Sequence, residues 1–470
     1  MTALVELLTI TNAAIAAAFA VVALVASYRA LLTSRTPQGA TAWILLILLL
    51  PLFGSLLYLV FGHADYKRFE RERRKSDEEM FDMASDDQVA EGPSRLDSFA
   101  RIARLPVTNG NDMSLLIDGK ATYDTVLDAI RNAETTLFVQ FYTIADDDIG
   151  KALRDALVER AQAGVSVWLL HDEMPFVGLP RYFKKQLTDA GVRMARPKGP
   201  KRLLGPFQFN YRNHRKLVVI DNKLAFTGGL NVSKTYLGRN PSIGPWRDTF
   251  AAFRGPVVAQ LALHFSSDWM WACGEDLSDI ASGVPAPTGD LRAVALAPSP
   301  AEEIAAGNLY FIALAHAAQK RLWISTPYFV PDRDVLTALR FAALRGVDVK
   351  ILVPGRADHY ITYFAAMAYF DDLRSAGGEV WTYDPAFIHQ KVALVDDDVT
   401  SIGSINLDIR SGLLNFELTV LLEGQSAASA VEDMLTTDFD NATRVDIDLS
   451  DRNVIIGMLA RVARLFAPVL

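Results

Sequence analysis

The sequence predicts an α/β chain, with two pseudo-symmetric α/β domains carrying mixed, largely parallel sheets behind a two-helix transmembrane hairpin. Three observations lead there. The first 62 residues hold two uncharged apolar stretches, helix-like and strand-like patterns alternate from about Leu115 onward, and that alternation occurs twice with the same short motif in both copies.

The hairpin comes first. Leu7 to Ser27 and Gly39 to Gly62 contain no charged residue, and each matches the roughly 20 residues that cross about 30 Å of hydrocarbon. Pro51 predicts a kink in the second stretch, which a membrane helix tolerates. A cleaved signal peptide competes for the first stretch, but its leading segment offers Glu6 and no Lys or Arg. Only Arg29 and Arg35 lie between the stretches, whereas Lys67, Arg68, Arg71, Arg73, Arg74 and Lys75 follow the second. That bias predicts a multi-pass membrane protein with everything after residue 64 in the cytoplasm. The mixed-charge run from Asp65 to Glu79 reads as a solvated helix whose basic half suits anionic headgroups. The acidic stretch Ala84 to Asp97 reads as a linker.

Composition agrees. Half of the residues are apolar and the mean hydropathy is slightly positive, high for a chain wholly in water. A length of 470 residues accommodates an anchor plus two core-bearing domains. A formal charge of -8 points away from a dedicated nucleic-acid binder, which needs a cationic surface to displace counterions, and leaves room for local basic patches. The single cysteine, Cys273, excludes an intramolecular disulfide and a thiolate zinc cluster.

The repeat organises the remainder into 111–290 and 291–470, with 1–64 as the hairpin and 65–110 as juxtamembrane segment and linker. In the two copies, Ala129-Ile-Arg-Asn-Ala-Glu-Thr-Thr-Leu-Phe-Val and Ala313-Leu-Ala-His-Ala-Ala-Gln-Lys-Arg-Leu-Trp-Ile each run from an amphipathic helix into an apolar strand. Helices follow at Ile149 to Ala163 and Val335 to Leu344, then strands from Gly164 and Gly346. Such alternation signals a layered α/β domain. The first copy takes 23 residues from Gly191 to His214 and the second 12 from Gly377 to His389. The difference isolates an insertion with Arg196, Lys198, Lys201, Arg202, Leu203, Leu204, Pro206 and Phe207, either a solvated loop or a headgroup or bilayer contact.

Each copy then reaches a histidine motif. The first reads His214-Arg-Lys216-Leu-Val-Val-Ile-Asp221 and is followed by Gly228-Gly229-Leu-Asn231. The second reads His389-Gln-Lys391-Val-Ala-Leu-Val-Asp396 and is followed by Gly403-Ser404-Ile-Asn406 at the same spacing. Residues two apart on a strand share a face, so each copy presents an imidazole beside an ammonium. If the copies pack about a pseudo-twofold axis, both pairs converge on one cleft that fits a tetrahedral phosphorus.

That cleft suits phosphodiester exchange. One neutral imidazole attacks phosphorus while the other, protonated, donates to the leaving alkoxide; a phosphohistidine results, and the second histidine then deprotonates the incoming alcohol. Lys216 and Lys391, with Asn231, Ser404 and Asn406, hold the nonbridging oxygens. The scheme needs no metal and no cofactor. Asp248 and Glu417, downstream of the two motifs, are candidates to orient the imidazoles. Asp221 and Asp396 complete the motifs and are counted with the catalytic set, although residues ending their strands suit structural hydrogen bonds near a turn. His63, His171, His264, His316 and His359 read as structural.

These residues resemble the phospholipase D superfamily, whose HxKxxxxD motif and Gly-Ser-x-Asn turn occur here in duplicate. The resemblance covers essentially the whole chain, and Asn210-Tyr-Arg-Asn-His-Arg-Lys, Thr326-Pro-Tyr-Phe-Val-Pro and the two apolar stretches resemble bacterial cardiolipin synthases of the two-motif type. The resemblance implies condensation of two phosphatidylglycerol molecules to cardiolipin and glycerol, with His214 as nucleophile and His389 as acid and base. Gly229 departs from the pattern, standing where the superfamily more often has Ser, so phosphate contacts in the first half would rest on Asn231 and backbone amides.

The expected partners are phosphatidylglycerol and the bilayer, with no nucleic acid. Ile455, Ile456, Met458, Leu459, Val462, Leu465 and Phe466 recur at helical spacing beside Arg461 and Arg464, as in an interfacial helix or one packed on the domain. Rival readings are a membrane phospholipase D hydrolase, a phosphatidylserine synthase of the same superfamily and, from other classes, a nuclease or a non-catalytic scaffold.

Overall fold

A computed structural model describes the chain except residues 1, 35–36, 62–69, 72, 76, 78–89, 173–177, 198–210, 242, 303 and 470. Several expectations fall outside the described residues: His63, Lys67 and Arg68, much of the Asp65 to Glu79 run, the start of the linker, Asn210, and most of the insertion from Lys198 to Phe207. The described residues form two compact units, one holding the N-terminal helices and the other Arg74–Lys198 with Phe209–Leu470.

In the N-terminal unit, Thr2–Thr33 is one helix, and its Thr11–Thr33 portion is long and apolar enough to cross a membrane. The expected second span is instead two shorter helices, Pro37–Leu49 and Pro51–Phe61. Pro51 has no N–H to give and its ring crowds the carbonyl four residues back, so the helix breaks there. Gly54 lets the broken ends pack closely, since a Cβ at that position would lie 2.6 Å from the Leu46 carbonyl oxygen. Trp43 and Tyr58 meet edge to face at 5.3 Å, and the Tyr58 and Thr33 hydroxyls are 3.0 Å apart.

The second unit is built on one 15-stranded sheet. The first copy supplies β1 (Thr108–Ile117), β2 (Thr136–Phe141), β3 (Ser166–His171), β4 (Arg193–Ala195), β5 (Leu217–Ile220), β6 (Leu224–Gly228) and β7 (Thr249–Arg254). The second supplies β8 (Leu291–Leu296), β9 (Arg321–Ser325), β10 (Asp348–Pro354), β11 (Glu379–Tyr383), β12 (Val392–Val395), β13 (Val399–Gly403), β14 (Thr419–Glu423) and β15 (Ala442–Arg444). The order is β4-β3-β2-β5-β6-β7-β1-β8-β14-β13-β12-β9-β10-β11-β15. Apart from β15 it reads the same from either edge, which is the pseudo-twofold relation expected from the repeat.

The sheet is mixed but not largely parallel. Only β2-β3-β4 and β9-β10-β11 run parallel; the other pairings in the sheet are antiparallel. Alternation of helix and strand holds only up to the histidine motif in each copy. Directly after it tight turns join β5 to β6 and β12 to β13, and Asp221, Asn222 and Asp396 adopt the left-handed backbone such turns require (φ 51°, 50° and 51°). Antiparallel pairing of β1 with β8 fuses the copies into one sheet.

Helices cover both faces. One apolar cluster per copy packs on one face, centred on residues such as Leu137, Leu157 and Leu187 or Leu322, Leu339 and Leu373. A third cluster, shared by both copies, fills the opposite face beneath helices Val257–Cys273 and Gln425–Asp440. The linker is fastened where it is described: Ser94 Oγ donates to Glu423 (2.5 Å) and Arg95 pairs with Asp396 (2.7 Å). Helix Val454–Arg464 buries Ala460 and Ala463 and ties Arg464 to Asp372 (3.0 Å), while Val454 and Leu465 remain 83% and 78% exposed. The segment is therefore a helix packed on the domain that leaves an apolar stripe uncovered.

Candidate active site

The motif residues precede their strands. His214, Arg215 and Lys216 lead into β5, and His389, Gln390 and Lys391 into β12. The extended backbone still alternates its side chains. Arg215 points to Asp268 of helix Val257–Cys273 (2.7 Å), and Gln390 to Asp438 of helix Gln425–Asp440 (2.8 Å). These buried polar anchors hold the flanking histidine and lysine toward the other side.

Each motif is completed by the opposite copy. The His214 N–H donates to the Phe416 carbonyl (2.8 Å) and the His389 N–H to the Arg247 carbonyl (2.7 Å). Those carbonyls immediately precede the two candidate orienting carboxylates. His214 Nδ1 consequently lies 2.9 and 3.0 Å from the Glu417 oxygens, and His389 Nδ1 lies 2.8 Å from Asp248 Oδ2. With each Nδ1 proton directed at a carboxylate, each Nε2 carries the lone pair of its ring. Both predicted orienting residues are thus in place, but each serves the motif it does not follow in sequence.

The carboxylates are fully buried and need donors of their own. Glu417 accepts from Ser404 Oγ (2.5 Å) and Asn415 Nδ2 (3.2 Å). Asp248 accepts from Trp246 Nε1 (3.2 Å) and the Thr249 N–H (2.8 Å). Ser404 was expected to hold phosphate, and its proton goes to Glu417 instead. Its counterpart is Gly229 because a Cβ there would sit 2.1 Å from Asp248 Oδ1, so the departure from the family pattern is enforced by the carboxylate itself.

Lys216 Nζ donates to the His214 carbonyl (2.6 Å). Lys391 Nζ donates to the His389 carbonyl and rests 2.8 and 3.1 Å from the two ring nitrogens. Burial pushes Lys216 down to about 7, with Lys391 adding to the shift against the pull of Glu417. It pushes Lys391 down to about 8 against Asp248 and Glu417. Burial, aided by Lys391, holds His389 at about 4. His214 is also held below its ordinary value, chiefly by burial, with both motif lysines contributing and Glu417 opposing. Because Lys391 acts on His214, and Asp248 and Glu417 act on both lysines, the two motifs share one electrostatic site. An arriving anion would restore the ammonium charges that burial makes costly.

Aromatic rings line this site. Tyr142 stands edge-on to His214 at 5.1 Å, and Trp246 lies 4.9 Å from His389. A cavity of about 620 Å³ opens beside His214, lined also by Tyr142, Arg212, Tyr328, Asn406 and Arg410. The Asn406 amide oxygen is buried there without a hydrogen-bond partner among the described residues. Asn231 gives its amide nitrogen to the Tyr236 hydroxyl (2.9 Å) and does not line the cavity. Asp408, at the same cavity, is raised by burial to about 6.

Asp221 and Asp396 are not brought to this site. The Asp221 carboxylate accepts from the Glu134, Thr135 and Thr136 N–H groups at 2.7–2.9 Å. Asp396 accepts from Gln319, Lys320 and Arg321 at 2.7–3.1 Å. Asp221 follows Lys216 by five residues, about 16 Å of extended chain at strand rise. Sequence reasoning missed Tyr142, Arg212, Tyr328 and Arg410. Arg212 and Tyr328 stand inside the quoted Asn210-Tyr-Arg-Asn-His and Thr326-Pro-Tyr segments, a signal that could have found them; Arg410 carried none. Of the histidines read as structural, His171 and His264 are buried, His316 is exposed, and His359 lies on the rim of the cavity.

Comparisons with known proteins follow the same lines. A family model described as cardiolipin synthase, PLD-like domain, matches residues 126–269 and 311–439, and a phospholipase D-nuclease N-terminal model matches 18–63. Cardiolipin synthase A of Pseudomonas putida (strain W619) is 40% identical over 460 residues, covering 95% of this chain and 96% of the relative. The protein of that name from Pseudomonas syringae pv. syringae (strain B728a) is 40% identical over 458 residues, covering 95% of each. Among solved structures, phosphatidylserine synthase of Haemophilus influenzae Rd KW20 superposes with a TM-score of 0.62 at 17% identity, over 80% of this chain and all of that one. At that identity the likeness concerns the fold alone.

Proposed function

The chain belongs to the phospholipase D-like cardiolipin synthase family of phosphatidyltransferases, and from that premise we propose how its residues perform the transfer. His214 Nε2 attacks the phosphorus of one phosphatidylglycerol. The bond from phosphorus to the glycerol headgroup breaks, and His389 gives its proton to the departing glycerol. The terminal hydroxyl of a second phosphatidylglycerol then returns a proton to His389 and displaces His214, so that cardiolipin leaves and both imidazoles are regenerated. Lys216, Lys391 and Asn406 hold the nonbridging oxygens. Glu417 and Asp248 orient His214 and His389, and Asp221 and Asp396 hold the strand ends. In the empty site His389 is neutral at physiological pH; the phosphodiester charge raises its proton affinity as the lipid binds.

The observation that carries this reading is the exchange of carboxylates between the copies, with His214 on Glu417 and His389 on Asp248. The protein is membrane-associated. We further propose that the two apolar stretches form a hairpin through a bacterial inner membrane, the second spanning it as a broken helix. Residues 65–110 join it to phospholipase D-like halves at 111–290 and 291–470, on the cytoplasmic side where the basic residues concentrate. Purified protein given phosphatidylglycerol in mixed micelles should release glycerol and form cardiolipin, and His214→Ala and His389→Ala should each abolish both. Phosphatidic acid as the main product, or a single alanine variant with most of its turnover, overturns the scheme.

A further inference from the structure

Condensing two identical lipids requires two seats, and the cavity beside His214 provides one. We propose that a second, separate cavity behind Tyr328 seats the acceptor lipid, an inference that rests on the reading above. This cavity has a volume of about 410 Å³. Its inner wall is Tyr328 and Phe387, whose rings lie 6.5 and 6.0 Å from that of His389. Tyr328 lines both cavities and is the partition between them. An occupant of the second cavity is therefore one aromatic ring away from the histidine assigned to deprotonate the incoming alcohol, on the far side of the partition from the donor.

The lining fits one kind of occupant. Ala366, Met367 and Phe370, from helix Tyr360–Arg374, make an apolar wall. Arg356, Arg444 and Arg452 bring positive charge to it, with Asp358 and Asp446 as the acidic members. Both acids are engaged: Asp446 pairs with Arg444 Nε (2.9 Å), and Asp358 accepts the Tyr328 hydroxyl (2.5 Å). Arg444 is further matched by Glu379 (3.1 Å). Arg356 donates to the Asp384 carbonyl (2.6 Å), an uncharged partner, and Arg452 makes no hydrogen bond or ion pair among the described residues. Arg356 and Arg452 thus have no carboxylate partner, and with Asp358 still charged the five ionised groups of the lining leave one positive charge in excess for an anion beside an apolar wall, the recognition pattern of a glycerophosphate headgroup with its acyl roots. A soluble phosphate would use the cations and leave the wall uncovered. At the rim Ile447 is 57% exposed, and Tyr360 and Ile361, on the lining of the first cavity, are 74% and 53% exposed. Both openings are therefore flanked by apolar side chains suited to a bilayer surface.

The Tyr328 ring need only turn aside for the acceptor hydroxyl to meet His389, and the Asp358 hydrogen bond holds it closed meanwhile. Two reactions of the full-length enzyme separate the seats. Incorporation of labelled glycerol into phosphatidylglycerol requires only the donor seat and a small acceptor, whereas cardiolipin formation requires both. Arg452→Glu and Ile447→Glu should raise the KM for lipid in cardiolipin formation by about tenfold, the scale of one lost charge-assisted contact, and leave glycerol exchange within about twofold. Arg452→Lys should recover most of the loss. Equal falls in both reactions, or no fall in either, overturn the proposal. A wild-type enzyme that exchanges glycerol yet makes no cardiolipin overturns the reading that a second phosphatidylglycerol is the acceptor instead, and the acceptor seat with it.

Discussion

Replacing Glu417 with Gln keeps the shape of the side chain but removes the charge that offsets the imidazolium of His214. Turnover should fall by about 10²–10⁴, the usual range for a misoriented or unsupported histidine, while the KM for lipid stays nearly constant; Asp248→Asn should behave alike through His389. Steady-state assays in mixed micelles check both, and a change confined to KM would contradict the orienting role. The lysines set a pH dependence. Their lowered values, about 7 for Lys216 and about 8 for Lys391, mean that the empty site loses positive charge as pH rises through that interval. Inhibition by inorganic phosphate should therefore weaken steadily from pH 6.5 to 9, read as a rising inhibition constant. The sequence named His214, Lys216, His389 and Lys391 because each is a reactive or charged type at a repeated spacing, and Asp248 and Glu417 as acids downstream of the two motifs. Their pairing was not legible there, since sequence order joins each carboxylate to its own copy and only the folded chain joins it to the other. Ser404 was assigned to phosphate for the same reason: its neighbour Glu417 becomes its nearest acceptor only when the turn closes.

The motif aspartates act at the level of strands and turns. Each carboxylate gathers three consecutive N–H groups at the start of β2 or β9, and those bonds hold Asp221 and Asp396 below the usual carboxylate range against the opposing effect of burial. Asp221→Ala and Asp396→Ala should each cost about 1–3 kcal/mol through the orphaned amides, measured as a lower melting temperature, with turnover per folded molecule largely retained. A carboxylate whose folded pKa is depressed stabilises above its unfolded value and loses that contribution as pH falls through the folded one. The stability gap between wild type and variant should accordingly close below about pH 4. At this scale the helices and outer strands were readable from their periodicity. The parallel character was over-read, because short apolar strands such as β5 and β6 look alike whether a helix or a three-residue turn follows. Pro51 announced the break in the second apolar stretch, but a sequence window cannot say that the break leaves two separate helices.

Duplication gave the whole molecule its plan, and the repeat made that plan visible before any coordinates. What the repeat could not convey is that β1 and β8, nearly identical in position within their copies, pair with each other and turn two sheets into one. Their contact spans some 180 residues of chain and leaves no local pattern. Because each half carries a histidine whose carboxylate belongs to the other, a chain divided between Ala281 and Gly289 should yield halves that are each inactive. Coexpressed halves should regain turnover if they associate through β1 and β8, and a half active alone would contradict the shared site. Gly229 bears on what such a fused pair can become. Two copies begin as equals, yet the space beside Asp248 has closed to any side chain while the matching space beside Glu417 admits a hydroxyl. The pseudo-twofold relation is thus broken at one atom's width, and the two orienting carboxylates are left with different donors, a serine hydroxyl for Glu417 and a backbone amide and an indole for Asp248.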